Sequence, residues 1–536
     1  MSPKIDEKKK IGESSSYTLL GAYLTFALGI FNTFIIARII EPAQWGFLIL
    51  SLSFIFFLTY LCNFFPPNAR DQIKYYIPHV TSEGFDEFNK RRKFIFHVLK
   101  IQLFYSSIIY LSFLIFVLLI FQGDKLLTQL LFILSPMILF NIIKNLNESI
   151  LLAFQKFKLV FVIKILNPLI YTINNIYIFT FQLKNPLPLI AFSYLLGSLI
   201  SSVLSIVLII PKIPKYIKVV ETEFDYKKAF YKLHKTYGVN LLLSDTFIQL
   251  TALIINFLFY IYGLPEYITY LTICTIALTS AFSFSSSETD SYVSIFSEIN
   301  YEKDPISFKT SFYQLVKFLM LFICIIISIM LFFIQIYIIL IYSDRYLIIV
   351  LIIQIYLFSA FSGLIVRNLN IITQSVNKTN INLIINFIDM IAIITLTIIA
   401  LEFLNFTVLI FLYVINSFII AYIMLRLINK STNLNLNILK FYIAFFIFFI
   451  SFLIALPFTF LVNFEFFSKN LILNLFINSL IQFIIFIIVF YTIFYITKFL
   501  TKEEFNQLVE IIPILRSQKK IIKKIVRFTE KILPSK

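Results

Sequence analysis

Apolar residues run along this chain in stretches of eighteen or more from Tyr17 to Thr497, parted by short polar turns. Such runs lack the alternation of a half-buried strand and match a hydrocarbon crossing, about 20 residues at 1.5 Å each. On that rule fourteen transmembrane helices are predicted at 17–38, 46–65, 100–121, 127–150, 159–181, 188–210, 236–262, 267–294, 313–341, 346–367, 380–402, 406–427, 440–462 and 471–497.

The placement of Lys and Arg tests this map independently, because loops on the cytoplasmic side of a membrane accumulate them. With the N-terminus inside, 36 of the 45 fall on the cytoplasmic side, Arg38, Lys125, Lys184, Arg345 and Lys469 on the outer side, and Lys100, Lys144, Lys164 and Lys317 within spans. A missed or invented span would scramble this asymmetry. Both termini are therefore expected in the cytoplasm of a multi-pass cell-membrane protein.

Composition agrees with the pattern. Of 536 residues 60% are hydrophobic and 14% charged, with a mean hydropathy of +0.91. Soluble domains are about a quarter charged, so a soluble enzyme, a disordered chain and a collagen-like fibre are excluded. Cys62, Cys274 and Cys324 each lie in an apolar stretch, and His79, His97 and His234 lack ligand spacing, so neither disulfides nor a metal site is expected. The polar head leads straight into a full-length span, which predicts an uncleaved first helix rather than a signal peptide.

The organisation predicted is a head at 1–16, a six-helix lobe at 17–210, a basic linker at 211–235, a second six-helix lobe at 236–427, two further helices at 440–497 and a basic tail at 498–536. Two lobes are expected because residues 220 apart correspond: Tyr17 with Tyr237, and 151–158 with 371–378, each after the fourth helix of its half. An even helix count gives both copies the same orientation, related by an axis along the membrane normal. In the tail, Ile514, Ile521, Ile525, Phe528 and Ile532 recur at helix-like steps between lysines, as in an amphipathic helix lying on anionic inner-leaflet lipids. Lys90-Arg91-Arg92-Lys93 fits a stop-transfer signal at the headgroups.

Several motifs in order resemble one family. Ser15-Ser16-Tyr17, Gly21, Gly29, Ala37-Arg38 and Glu41-Pro42-Ala43-Gln44-Trp45-Gly46 are similar to its first helix and turn. Phe65-Pro66-Pro67-Asn68-Ala69-Arg70, Ala153-Phe154-Gln155-Lys156-Phe157-Lys158, Phe296-Ser297-Glu298-Ile299, Tyr342-Ser343-Asp344-Arg345 and Thr501-Lys502-Glu503-Glu504-Phe505 follow in place. Together they resemble the polysaccharide-transport branch, the oligosaccharide flippases, of the multidrug/oligosaccharidyl-lipid/polysaccharide exporter superfamily. The resemblance implies an all-α membrane protein with two pseudo-symmetric bundles around a central cavity plus two C-terminal helices. It implies a flippase that moves a lipid-linked oligosaccharide or polysaccharide precursor to the outer leaflet by alternating access, not an enzyme. Asn377 stands where that family usually has Gly, Ile295 where Pro often precedes Ser-Glu, and Asn256 where many members carry Asp.

Sugar hydroxyls and phosphates cannot cross hydrocarbon without several kcal/mol per unsatisfied polar group, so a flippase needs a polar lumen. Ionisable residues deep inside spans are the candidates to line it. Lys144 and Lys164 in spans 4 and 5 could hold the anionic phosphate, with Asn141, Asn145, Asn167, Asn174 and Asn175 lining the same path. Asp245 and Asp389 in spans 7 and 11 lie roughly 14 Å deep and could bind a coupling cation, a proton or Na⁺. Blander roles compete: Lys144 can pair with Glu148 one turn on, Lys164 can snorkel, and the asparagines can pack helices. Arg38 fits the helix 1–2 turn or lipid headgroups, Trp45 fits an interfacial belt, and Glu288 and Asp290 fit a gate or an exposed cap at the inner end of span 8.

Two other functions compete. A cation-coupled multidrug or small-molecule exporter of the same superfamily would usually have about twelve spans. A membrane glycan polymerase or transferase would usually carry a large outer loop or an Asp-x-Asp motif; the outer loops here are short and no such motif occurs. Neither does a phosphate-binding Gly-Lys-Ser/Thr loop. No cofactor and no nucleic acid is expected, and nothing in the sequence selects an oligomeric state.

Overall fold

The structure, a computed structural model, describes residues 5–64, 73, 85–154, 156–212, 239–286, 305–376, 378–403, 405–432, 434–457, 471–499 and 501–503. The helices are α1 (Ile5–Ile39), α2 (Pro42–Leu61), α3 (Phe85–Ile120), α4 (Lys125–Leu134), α5 (Met137–Ala153), α6 (Phe157–Thr180), α7 (Pro186–Ile209) and α8 (Val239–Ile261). They continue with α9 (Pro265–Ser286), α10 (Pro305–Tyr337), α11 (Val350–Leu357), α12 (Ser359–Ser375), α13 (Asn380–Phe403), α14 (Phe406–Thr432), α15 (Ile438–Ala455) and α16 (Leu471–Ile496). No strand forms among the described residues, so the protein is all-α. Hydrocarbon leaves a peptide group no partner outside its own segment, which makes the helix the obligatory solution. The basic tail beyond 503, most of linker 211–235, and Glu288 and Asp290 lie outside the described residues.

A helix falls on each of the fourteen expected spans. Among the described residues ten are long and apolar enough to cross a membrane, or eleven if the pair 344–357 and 359–375, bent by 43°, is one span. Tyr23–Ile39 and Tyr442–Ala455 are shorter apolar helices. Large apolar side chains cover the outside, among them Phe104, Leu119 and Ile488, as expected where acyl chains replace water. Hydroxyls inside spans turn back on their own helix: Ser51 donates to the Phe47 carbonyl at 2.9 Å and Thr59 to that of Ile55 at 2.7 Å.

Several boundaries differ from the hydropathy limits. The first helix starts at Ile5, inside the expected head, and the third at Phe85, so Lys90-Arg91-Arg92-Lys93 belongs to a helix rather than a loop. No Gly or Pro interrupts 85–100, and Lys and Arg are good helix formers, so the helix outruns its apolar core. The interfacial-belt expectation for Trp45 is overturned, because only 3% of its side chain is accessible and it packs inside the protein.

The helices divide into two compact units, Met1–Thr272 with Asn386–Glu402, and Ile273–Ile385 with Phe403–Lys536. Spans 7 and 11 thus group by contact with the spans of the first half.

The internal repeat is visible in the backbone, in a register of 222 rather than 220. After α5, Phe154 N–H donates to the Ile150 carbonyl at 3.0 Å and Lys156 N–H to that of Leu151 at 2.8 Å. After α12 the same two bonds run from Val376 to Ile372 at 2.9 Å and from Lys378 to Thr373 at 2.7 Å. The preceding spans break alike, at Ser135-Pro136 and at Phe358. The turns into the second helix of each half match too: Ile40 N–H donates to the Ile36 carbonyl and Tyr262 N–H to that of Leu258, both at 3.0 Å.

Both of those second helices open on proline, Pro42 and Pro265, and within the first unit their first turns meet reciprocally. Thr269 Oγ1 donates to the Pro42 carbonyl at 2.7 Å. Gly46, which like Thr269 stands four residues past the proline of its own helix, lies so close to the Pro265 carbonyl that a Cβ there would overlap it. A residue four past one proline touches the carbonyl of the other, in both directions, as in a contact across a two-fold axis. Gly46→Ala is expected to lower stability by about 1–3 kcal/mol through overpacking against backbone. Gly29→Ala, with nothing within 4 Å of its Cβ, should leave it unchanged or slightly raised. Thermal unfolding of the detergent-solubilised protein measures both.

Candidate functional site

Two polar clusters lie inside the first unit. The first joins α1, α6 and α7. On α6, Lys164, Asn167, Tyr171 and Asn175 recur at i, i+3, i+7 and i+11 and so share one face. Asn175, fully buried, donates from Nδ2 to Asn32 Oδ1 at 2.7 Å, and Asn32 Nδ2 donates to Tyr194 Oη at 3.0 Å. The Tyr171 and Tyr194 rings lie 4.7 Å apart between centroids. Lower on the same seam α6 and α7 nearly touch: a Cβ at Gly197 would stand 2.5 Å from Asn167 Oδ1 and 2.9 Å from the Asn167 carbonyl. The buried oxygens Asn167 Oδ1, Thr172 Oγ1, Asn175 Oδ1 and Ser198 Oγ make no hydrogen bond to protein. This seam is built from neutral amides and hydroxyls, with the Lys164 ammonium exposed at one end of the face.

The second cluster joins α2, α8 and α13. Tyr60 Oη on α2 donates to Asp245 Oδ2 on α8 at 3.0 Å. The next-door Ser244 is clamped to α13, with Asn386 Nδ2 donating to its hydroxyl at 2.6 Å and to its carbonyl at 3.4 Å. Phe247, one turn past Ser244, and Phe387, next to Asn386, pack at 5.3 Å between ring centroids. Asp389 follows Asn386 by three residues and is half-buried, while Asp245 is exposed. The two acids predicted from sequence therefore stand on adjacent, cross-linked helices. In the 222 register Asp389 is the counterpart of Asn167 and Asn386 that of Lys164, so the same level of the fifth helix carries polar groups in both halves.

The other sequence candidates are distributed. Lys144 is half-buried on α5, one turn before the buried Glu148, and the polar link of that helix to α7 is Asn147 Nδ2 to Ser205 Oγ at 2.9 Å. Asn141 is buried and Asn145 half-buried on the same helix. Asn174 is half-buried beside Asn175. Arg38, exposed at the end of α1, places its guanidinium 4.6 Å from the Phe34 ring. Cys62, Cys274 and Cys324 are buried thiols, and no metal-competent group of three His, Cys, Asp or Glu occurs among the described residues.

Sequence reasoning missed the partners Asn32, Tyr60, Tyr171 and Tyr194, whose only signal was a polar atom within an apolar run. It also missed the level beneath the Pro42–Pro265 contact. Asn256 Nδ2 there donates to Ser53 Oγ at 2.8 Å, so this amide serves as a neutral bridge between α8 and α2. Tyr260 Oη donates to Asp124 Oδ2 at 3.1 Å, and Asp124 caps α4 through the Leu127 amide at 3.0 Å. Phe54, Phe121 and Phe257 pack edge to face beside it at 5.9–6.3 Å.

These features define a multi-pass membrane protein with paired, repeat-related helices and polar seams within its spans. No protein-family model and no curated sequence matches the chain. Among solved structures it is similar to the lipid II flippase MurJ in an inward closed conformation, at 18% identity over 89% of this chain and 98% of that one, with a TM-score of 0.63. It is similar to an inward-facing multidrug resistance MATE family transporter of the MOP superfamily, at 11% identity over 78% and 98%, with a TM-score of 0.63. A MOP superfamily transporter from Pyrococcus furiosus Vc1 follows at 12% identity over 80% and 96%, with a TM-score of 0.58. The fold is thus the one these MOP-superfamily proteins share.

Asn32→Ala leaves both Asn175 and Tyr194 without their partner and is expected to cost about 1–3 kcal/mol of stability. The half-buried Asn174→Ala should cost under about 0.5 kcal/mol. Chemical unfolding in mixed micelles compares the two.

Proposed function

We propose that the protein is a flippase that translocates a lipid-linked oligosaccharide or polysaccharide precursor from the cytoplasmic to the outer leaflet by alternating access. The observation that carries this reading is the likeness to MurJ along 89% of the chain, against 78% for the multidrug transporter. The chain's two terminal helices, α15 and α16, fit that larger coverage. In this reading both termini are cytoplasmic, the Pro42–Pro265 contact lies at the outer face, and no covalent bond changes.

Asp245 and Asp389 are assigned to a coupling cation, a proton or Na⁺. An acid held by Tyr60 at 3.0 Å, beside helices already tied through Ser244 and Asn386, can change its ionisation or ligation without unfolding either helix. Binding a cation there favours whichever arrangement of α2, α8 and α13 keeps the carboxylates together, which is how an ion gradient biases a two-state transporter. Lys164, with Asn167 and Asn174 on its helix, and Lys144 on α5 are assigned to the phosphate and sugar hydroxyls. An ammonium on a flexible stem can follow a moving anion.

The second reading, a cation-coupled multidrug exporter, draws on the equal TM-score of the MATE transporter. The two differ in cargo: the drug exporter would lower accumulation of cationic dyes and leave lipid-linked sugars where they are made.

Asp245→Asn and Asp389→Asn are each expected to cut transport at least tenfold while membrane abundance stays within twofold of the parent. Complementation of a flippase-deficient strain, scored beside an immunoblot of membranes, gives the measurement; full complementation by both variants rejects the coupling role. Lys144→Ala with Lys164→Ala should lower uptake of labelled lipid-diphosphate sugar into inverted vesicles about tenfold or more. Unchanged uptake removes the two lysines from the substrate path.

A further inference from the structure

Within the second unit, a cavity of about 600 Å³ opens at the C-terminal end of α14. Tyr422, Arg426, Asn429 and Lys430 from the helix, with Asn435 and Asn437 from the following turn, form its wall, and among the described residues none that lines it carries a carboxylate. The wall is fixed in place rather than merely exposed. Asn429 holds the backbone of Leu436 from both sides, donating to its carbonyl at 2.9 Å and accepting from its amide at 2.7 Å. Lys309 Nζ donates to the Asn435 carbonyl at 2.6 Å, and the Asn437 amide donates to Tyr313 Oη. Arg426 Nε donates to Tyr422 Oη at 2.9 Å with the guanidinium 5.2 Å from the ring, so the fork is held by one nitrogen while its two terminal nitrogens extend beyond that bond.

The same face of α14 continues away from the cavity as an apolar ridge. Phe411, Ile415, Ile419 and Tyr422 are exposed at steps of four, four and three residues, and Arg426 and Lys430 follow at steps of four. One stripe therefore runs from acyl-chain-facing side chains, through a tyrosine at the expected depth of the interface, into two cations. The distribution of Lys and Arg puts 426–440 on the cytoplasmic side, where leaflets carry anionic headgroups.

We propose that this cavity binds an anionic phospholipid of the inner leaflet, its phosphate on Arg426 and Lys430 and one acyl chain along the Phe411–Ile415–Ile419–Tyr422 ridge. Arginine offers the planar fork that matches phosphate oxygens and lysine a mobile second charge. The ridge distinguishes a lipid from a free anion, since inorganic phosphate gains nothing from it. The site shares no residue with those assigned to the cargo, and its occupancy does not depend on the flippase reading.

The full chain in neutral detergent, titrated with phosphatidylglycerol or with phosphatidylcholine of the same chains and read by native mass spectrometry, tests it. The tightest phosphatidylglycerol site is expected to be filled at about tenfold lower lipid concentration than with phosphatidylcholine. R426Q with K430Q should abolish that preference, while R426K with K430R, which keeps both charges, should retain at least half of the bound lipid. Unaltered phosphatidylglycerol binding by the glutamine variant overturns the proposal. So does displacement of the lipid by millimolar inorganic phosphate, which would assign the cavity to free anions.

Discussion

A polar side chain inside hydrocarbon has no water to fall back on, so a hydroxyl turns back on its own helix and an amide or acid reaches for a neighbouring one. That constraint organises the interior of this protein. Asn32 reaches Asn175 and Tyr194 at once and ties three spans, α1, α6 and α7, through one amide. Ser244 and Asn386 tie α8 to α13, and Asn256 with Ser53 ties α8 to α2. Between spans as apolar as the lipid around them, hydrophobic burial gives little preference for one neighbour over another, so such bonds and close small-residue contacts select the arrangement. Gly46 and Gly197 supply those contacts where backbone or an amide occupies the place of a side chain.

The repeat explains why the polar levels recur. In a register of 222 the fourth span of each half breaks at the same place, the turn that follows uses the same hydrogen bonds, and the fifth span carries its polar residues at the same depth. The two copies have diverged in chemistry. The first places Lys164 and Asn167 where the second places Asn386 and Asp389, so a cationic and amide-bearing level in one half corresponds in register to an amide and acidic level in the other.

Much of the fold was legible because the period of the code is coarse. Twenty apolar residues define a span without any knowledge of packing, and Asp245 and Asp389 stood out because charge inside a span is rare. What stayed hidden depends on a single atom or a single residue of offset. The Tyr60 hydroxyl that holds Asp245 reads in sequence like any other tyrosine of an apolar run. Pro136 marks the break in the fourth span, but the break at Phe358 has no proline to announce it. The repeat offset of 220 aligned Lys158 with Lys378, whereas the backbone aligns Lys156 with Lys378, because sequence similarity in a basic turn tolerates a slip that hydrogen bonds do not. Trp45 misled for a related reason: an indole near a span end fits an interface and a packed core equally until its neighbours are known.

Translocation in proteoliposomes reaches the heart of this picture most directly. A fluorescent lipid-diphosphate oligosaccharide placed in one leaflet, with the purified chain as the only protein, reports the crossing as loss of protection from a membrane-impermeant quencher. Transfer is expected to be at least tenfold faster than in protein-free vesicles, and faster again under an imposed proton or Na⁺ gradient. Transfer no faster than in empty vesicles, in a preparation that extrudes cationic dyes, would contradict the flippase reading and leave the drug-exporter reading in its place.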